Sequence, residues 1–290
     1  LLALCSKNNS SDLKKFFKLK SKKMPIKWND FCYIQANWSP KSQNIVKILK
    51  QINISPENAL FIDDSKFEIG EVKNQISKID TLLMPKEISL LKEIFYQKGN
   101  FDIYNITDED RKRDKLYSDE NKRKKNISKF KSNDEYIKSL KIKLDIKLNS
   151  KKNLKRLAQM TQKTNQFNST TIRLNEKKLF KLFLNKNYQI YQCKAKDSFG
   201  EYGIVGLAII RIITKSYLAK IENTLFSCRV LGRKIEEYFY QKIFDRLKQK
   251  NIRNVQFDYV KTDKNKPVYQ FFKKYNFLEK NEKNGNITFS

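Results

Sequence analysis

Two adjacent carboxylates, Asp63 and Asp64, stand at the end of the apolar run Ala59 to Ile62 and are followed by Ser65. In open α/β sheets ligands sit in the crevice beyond the strands' carboxyl ends, so an acidic pair there suggests a Mg²⁺ and phosphate site. Two residues of matching chemistry precede it: Ser6, closing the strand-like run from Leu1 to Cys5, and Lys41, just after Pro40. A hydroxyl can hydrogen-bond a phosphoryl oxygen, a lysine offsets its charge, and carboxylates hold Mg²⁺. Phosphoryl chemistry is the first expectation. Taken singly, Ser6 and Asp64 read as helix caps, Lys41 as a surface residue and Asp63 as a turn acid. Taken together, in order and at strand ends, they read as a site.

A second candidate lies far downstream. Arg229, Val230, Leu231, Gly232, Arg233 and Lys234 run from a strand into a long helix. A glycine-bearing turn at a helix N-terminus presents free backbone N–H groups and a positive dipole end, suited to pyrophosphate. Cys228 beside Arg229 is a candidate nucleophile, because a nearby cation lowers a thiol pKa; a buried structural cysteine is the competing reading.

Composition narrows the chemistry. None of the 290 residues is histidine, which excludes Ser-His-Asp and Cys-His nucleophilic sites, His-ligated metals and a histidine base. Acid and base work must fall to Asp, Glu, Lys, Tyr or Cys. The four cysteines, Cys5, Cys32, Cys193 and Cys228, lack the paired spacing of zinc or redox motifs and read as reduced thiols. No apolar run approaches the roughly 20 residues of a membrane span, and Leu1 to Leu4 is too short for a signal-peptide core. A cytoplasmic location with no membrane partner is expected. The net charge of +30 is spread along the whole chain beside abundant Asn, Ile, Phe and Tyr, types with AT-rich codons. Nucleic acid is therefore the less favoured partner, and an acidic protein suits the same surface.

The elements that must position these residues follow from periodicity. Strand patterns at Leu1–Cys5, Cys32–Gln35, Ala59–Ile62 and Ile79–Leu83 alternate with helix patterns at Ser11–Leu19, Ser42–Ile52, Lys66–Gln75 and Lys86–Tyr96. Such alternation predicts a parallel α/β sheet over residues 1–106. The pattern opens without an initiator Met or a preceding element, so part of this domain is expected upstream of Leu1. Residues 107–140 read as a charged, solvated helical linker, with Thr107 to Asp110 resembling a helix start and Ser132 to Glu135 a capping box. A mixed α/β domain is expected over 141–290. It should contain an alternating strand at Lys141–Leu148, strands at Tyr188–Lys194, Gly203–Ile213 and Tyr217–Phe226, a helix from Gly232 to Lys248, and a closing strand near Ile287.

The order Ser6, Lys41, Asp63-Asp64 resembles the second, third and fourth motifs of the haloacid dehalogenase (HAD) phosphatase superfamily. That resemblance places the nucleophilic aspartate of the first motif upstream of Leu1, and this chain lacks it. The Arg229 to Lys234 run is similar to the motif with which GNAT-type acyltransferases hold coenzyme A, although Lys234 occupies the second small position. Asn265 to Phe277 resembles the same superfamily's last motif, with Asn276 where glycine is usual. This likeness makes Asn265 a cofactor contact and Tyr269 a thiol-facing acid; a tyrosine that packs at the helix base is the bland alternative.

Five segments, Ile34 to Ser42, Phe61 to Asp64, Asp108 to Arg111, Thr161 to Thr171 and Ser227 to Arg233, occur in the order seen in FkbH-like proteins. The likeness runs from Leu1 to about Phe277. It implies a HAD-like domain fused to a GNAT-like domain in polyketide-type biosynthesis. The implied enzyme dephosphorylates a phosphorylated three-carbon donor and loads the acyl (glyceryl) unit onto the phosphopantetheine thiol of an acyl carrier protein. Mg²⁺ and a phosphopantetheine or coenzyme A arm are the implied cofactors, and Thr164 to Asn168 are candidate contacts for that arm unless they satisfy their own backbone. Carrier proteins are typically acidic, which suits a Lys-rich surface. A noncatalytic carrier-protein-binding module is the alternative.

Overall fold

In the computed structural model, which describes residues 1–52, 54–99, 112–283 and 286–290, the early alternation folds into parallel strand pairs flanked by helices. β1 (Leu2–Ser6) pairs in parallel with β2 (Phe31–Ala36), and β3 (Leu60–Asp63) with β4 (Asp80–Leu83). Helices α1 (Ser10–Lys20), α2 (Lys41–Ile52), α3 (Lys66–Gln75) and α4 (Leu91–Lys98) connect or follow them. The expected single parallel sheet is thus two hydrogen-bonded pairs. They meet through packing: α2 buries Ile45 and Leu49 against Phe61 and Val72, and Ile48 and Ile52 against Cys32, while Cys5 of β1 touches both clusters. The i, i+3, i+4, i+7 spacing of those four α2 residues makes one face wide enough for both pairs.

Two compact units result, Leu1–Ser118 and Asp119–Ser290, the division falling within α5 (Arg113–Ile127). The motif Asp108 to Arg111 and the helix start at Thr107 lie outside the described residues. From Asp119 onward the stretch read as a solvated linker has a buried side: Arg123 in α5 and Tyr136 and Leu140 in α6 (Asn133–Leu140) are at most 3% exposed. Charge density in the sequence hides this, because Arg123 is buried with its charge paired.

The second unit is built on one mixed sheet in the order β11-β12-β10-β9-β8-β7-β5. Its strands are β5 (Lys143–Leu148), β7 (Tyr188–Asp197), β8 (Gly200–Ile213), β9 (Leu218–Phe226), β10 (Asn254–Val260), β11 (Glu279–Lys283) and β12 (Asn286–Phe289), with the two-residue β6 (Phe167–Asn168) set against β9. Among the described residues of this sheet, only β9 and β10 pair in parallel. Alternate residues of β8 face opposite layers. Leu207 and Ile209 join Leu157 of α7 (Leu154–Lys163) and Leu179 of α8 (Glu176–Leu184). Ala208 and Ile210 join Phe239 and Ile243 of α9 (Ile235–Gln249) and Phe272 of α10 (Lys266–Lys274). The unit is therefore a helix–sheet–helix sandwich. The sequence shows no sign of β11, whose residues Glu279 to Lys283 lack apolar alternation. The helix expected from Gly232 starts at Ile235, because Gly232 and Lys234 both take positive φ (78° and 59°). Among the described residues no helix is long and apolar enough to cross a membrane.

Candidate functional site

Asp63 ends β3, and the turn after it is fixed from both sides. Asp63 Oδ1 accepts from the Ser65 N–H (3.0 Å), and Ser65 Oγ accepts from the Glu68 N–H (3.4 Å) to cap α3. The Asp63 carboxylate, 8% exposed, is met by Lys41, the first residue of α2, whose Nζ lies 2.5 Å from Oδ2. β1 reaches the same place. Cys5 Sγ donates to the Lys41 carbonyl (3.8 Å), and Lys7 Nζ pairs with Glu68 at 2.5 Å. Ser42 donates to Glu71 through both its N–H and its hydroxyl. Burial pushes the Cys5 thiol up to about 11, with Lys41 pulling it down and Asp63, Glu68 and Glu71 pushing it up. All four charges therefore act on one spot.

Ser6 sits between Cys5 and Lys7, half-buried, its carbonyl accepting from Asn37 N–H (3.1 Å). Asp64 is exposed. Sequence reading misses Lys7, Ser42, Glu68 and Glu71. Glu68 does carry a signal, since Ser65-x-x-Glu68 is a capping-box pattern, but that pattern forecasts a helix start rather than an ion pair. Mg²⁺ is commonly held by one or two carboxylates, completed by water and phosphate oxygens. Asp63 and Asp64 match that donor set, and the buried Glu68 Oε2, which has no hydrogen-bond partner, leaves a further acceptor on the adjoining helix. Among the described residues no group of three or more His, Cys, Asp or Glu side chains could hold a metal.

The loop before α9 is organised differently from its sequence expectation. Val230 is core. Arg233 is 9% exposed and turns inward: its guanidinium pairs with Glu120 (2.6 Å), donates to the Arg229 carbonyl and lies over the Tyr202 ring. Lys234 pairs with Asp134 (2.8 Å), and Arg229 Nε donates to Ser227 Oγ (3.2 Å). Leu231 and Gly232 line the turn, and a Cβ on Gly232 would meet nothing within 4 Å. At the start of α9 the Glu236 carboxyl is buried, placing an acid at the helix N-terminus where a pyrophosphate is expected. Cys228 is half-buried in the single turn after β9 and takes part in no disulfide.

Asn265 is fully buried, and all four of its hydrogen-bonding positions are filled by the protein. Oδ1 accepts from Tyr259 Oη (3.0 Å) and Thr262 N–H (2.9 Å), while Nδ2 donates to the carbonyls of Asn168 (3.0 Å) and Val260 (2.8 Å). The side chain thus serves the protein's own loop. Tyr269 Oη donates to Glu279 (2.7 Å), a bond that raises its phenol pKa together with partial burial, and its ring packs on Tyr259 and Phe289.

The parallel strands β9 and β10 pair only through Leu218–Ile221 and Asn254–Phe257. Beyond that point the polar segment after α7 sits between them. Phe167 and Asn168 pair with Phe226 and Leu225, Ser169 N–H donates to the Thr224 carbonyl (2.9 Å), and Val260 N–H donates to the Ser169 carbonyl (2.8 Å). Asn168 Nδ2 donates to the Thr164 carbonyl (3.0 Å), and its Oδ1 accepts from Thr171 N–H (3.0 Å). Within Thr164 to Asn168, the Asn168 side chain thus serves backbone groups of its own loop. Ser169 bridges β9 and β10 where their direct pairing ends.

No protein-family model matches the chain, and no curated protein matches it. Among solved structures, it is similar to the N-terminal part of the protein BF1531 from Bacteroides fragilis, which contains a phosphatase domain complexed with Mg: 28% identity over 37% of this chain and 28% of that one, TM-score 0.35. The chain thus spans little more than a quarter of that structure. It is also similar to the ribosomal-protein-S18-alanine N-acetyltransferase from Escherichia coli, with 11% identity over 51% of this chain and 92% of that one, TM-score 0.40. The PaiA N-acetyltransferase from Thermoplasma acidophilum in complex with coenzyme A shares 13% identity over 51% of this chain and 97% of that one, TM-score 0.40.

Proposed function

We propose that the first unit is a HAD-like domain that binds Mg²⁺ and the phosphoryl group of a phosphorylated three-carbon acid. The contact of Lys41 Nζ with Asp63 Oδ2 at the end of β3 carries this reading, because a cation and a carboxylate meeting at a strand's carboxyl end suit a phosphate and its metal. Asp63 and Asp64 would hold Mg²⁺, which supplies charge neutralisation at the phosphoryl oxygens. Lys41 takes the phosphoryl charge from the α2 side, and Ser6 at the end of β1 offers a hydroxyl. The order of segments shared with FkbH-like proteins supports a three-carbon acid as ligand. Calorimetric titration with 3-phosphoglycerate tests it. Binding should require Mg²⁺ and weaken at least about tenfold, or 1.4 kcal/mol, in Asp63→Asn and in Lys41→Met. Unchanged affinity in both folded variants would refute the assignment.

For the second unit the FkbH resemblance supports loading of the acyl unit onto a carrier-protein thiol. Ser169 occupies the edges of β9 and β10 beyond Ile221 and Phe257, so an extended amide-bearing arm finds no open strand there, which favours the second reading, a noncatalytic unit of acyltransferase type that binds a carrier-type protein partner. Titration with coenzyme A and with a holo acyl carrier protein separates the two: carrier binding without coenzyme A affinity or thioester formation is expected, and thioester formation would return the unit to the transferases.

A further inference from the structure

β5 is an edge strand, and one of its faces is only partly covered. Its residues alternate between exposed and half-buried, with Leu144, Ile146 and Leu148 packing on the main core from its margin. α9 covers the neighbouring strands and leaves an open strip alongside it, a groove of about 570 Å³ between β5, α6 and α9. Ile142, Leu144 and Ile146 form its floor, and Tyr238, Gln241, Lys242 and Arg246 form one wall. From Tyr238 to Arg246 that wall is about 12 Å long at 1.5 Å per residue, the length of roughly two helical turns. Sheet faces in layered folds are covered by helices lying side by side, and the strip is a vacant place in such a layer.

The charges around the groove have one sign. Lys138, Lys141, Lys242 and Arg246 line it, Arg233 at its end is already paired with Glu120, and none of the lining residues is acidic. Arg246 Nη1 is buried without a hydrogen-bond partner, although the guanidinium lies near the Tyr191 ring (5.8 Å).

We propose that this groove docks an acidic amphipathic helix of a partner protein, its apolar stripe on Ile142, Leu144 and Ile146 and its carboxylates on Lys138, Lys141, Lys242 and Arg246. The proposal deepens the reading of the second unit as a protein-binding unit, on which it rests, and is independent of the Mg²⁺ site. An apolar floor offers nothing to a phosphate backbone, which disfavours nucleic acid as the occupant.

Fluorescence anisotropy on the full chain tests it. The probe is a labelled helical peptide of about four turns with leucines along one face and glutamates flanking them. Lys242→Glu with Arg246→Glu should weaken binding at least about tenfold. The same charge change at exposed Lys177 and Lys178 on α8 should leave it within about twofold. Replacing the peptide's leucines by serine should also abolish binding. Circular dichroism establishes that each variant is folded. Equal losses from both charge reversals, indifference to the leucines, or tighter groove-dependent binding of duplex DNA would each overturn the proposal. Thioester formation with a carrier protein would sink the noncatalytic reading by a separate measurement.

Discussion

Arg233 donates to Glu120 at 2.6 Å across 113 positions of sequence, and this pairing decides what the loop before α9 can do. A guanidinium that faced outward from that loop would attract phosphate; one turned onto Glu120 and over Tyr202 ties α5 to the loop instead. Both partners are largely buried. A double-mutant cycle with Arg233→Met and Glu120→Gln, read by urea unfolding of the second unit, should give a coupling of about 1–3 kcal/mol. Additive effects would mean that the pair contributes no more than two surface charges.

A second buried pair should matter more. Arg123, 1% exposed, donates bidentately to Asp197 (2.7 and 2.8 Å) and stacks over Tyr202, whose hydroxyl donates to the same carboxylate. Burial opposes both charges, but these hydrogen bonds prevail and hold the Asp197 carboxyl below its ordinary range. Arg123→Met leaves that carboxylate buried and unpaired, and should destabilise the second unit by about 3–5 kcal/mol. Asp197→Asn sets an amide N–H2 against the donors Arg123 Nη2, Phe199 N–H and Gly200 N–H and leaves the buried guanidinium without a counter-charge, and should cost a similar amount in the same denaturation experiment.

Gly206 is required by a neighbour rather than by a turn. A Cβ there would lie 2.6 Å from Phe226 Cε1, and the Phe226 ring is held edge-on by Phe167 and Phe239 (5.3 and 5.2 Å between centroids). Gly206→Ala should therefore destabilise by about 1–3 kcal/mol. In a Phe226→Leu background the same substitution should cost markedly less, a difference that thermal unfolding of the four proteins measures.

Burial pushes the Glu236 carboxyl from 4.5 up to about 7. The folded chain then keeps a proton that the unfolded chain releases, so this group's contribution to stability falls as pH rises from about 4.5 through 7 and stays low above. Glu236→Gln should raise the unfolding temperature of the second unit by several degrees at pH 8, from a gain of about 2–3 kcal/mol. At pH 5 it should change little. A calorimetric scan at the two pH values distinguishes this from a pH-independent effect.

The sequence by itself determined the elements and their faces. Ile45, Ile48, Leu49 and Ile52 announce the buried side of α2, Ser132 announces the start of α6, and the alternation from Leu144 to Leu148 announces β5. It also put Asp63 at a strand end with Lys41 before a helix, so the Lys41–Asp63 contact was within reach of sequence reasoning. What only the tertiary structure decided is which polar group meets which. Nothing local to Arg233, Asn265 or Ser169 says whether a ligand or the protein fills its hydrogen bonds; Glu120, Asn168 and Val260 fill them after long chain returns. Periodicity is written over a few neighbouring residues, because helices and strands have fixed repeats. A hydrogen-bonding partner is chosen by packing, and packing joins positions that the sequence keeps far apart.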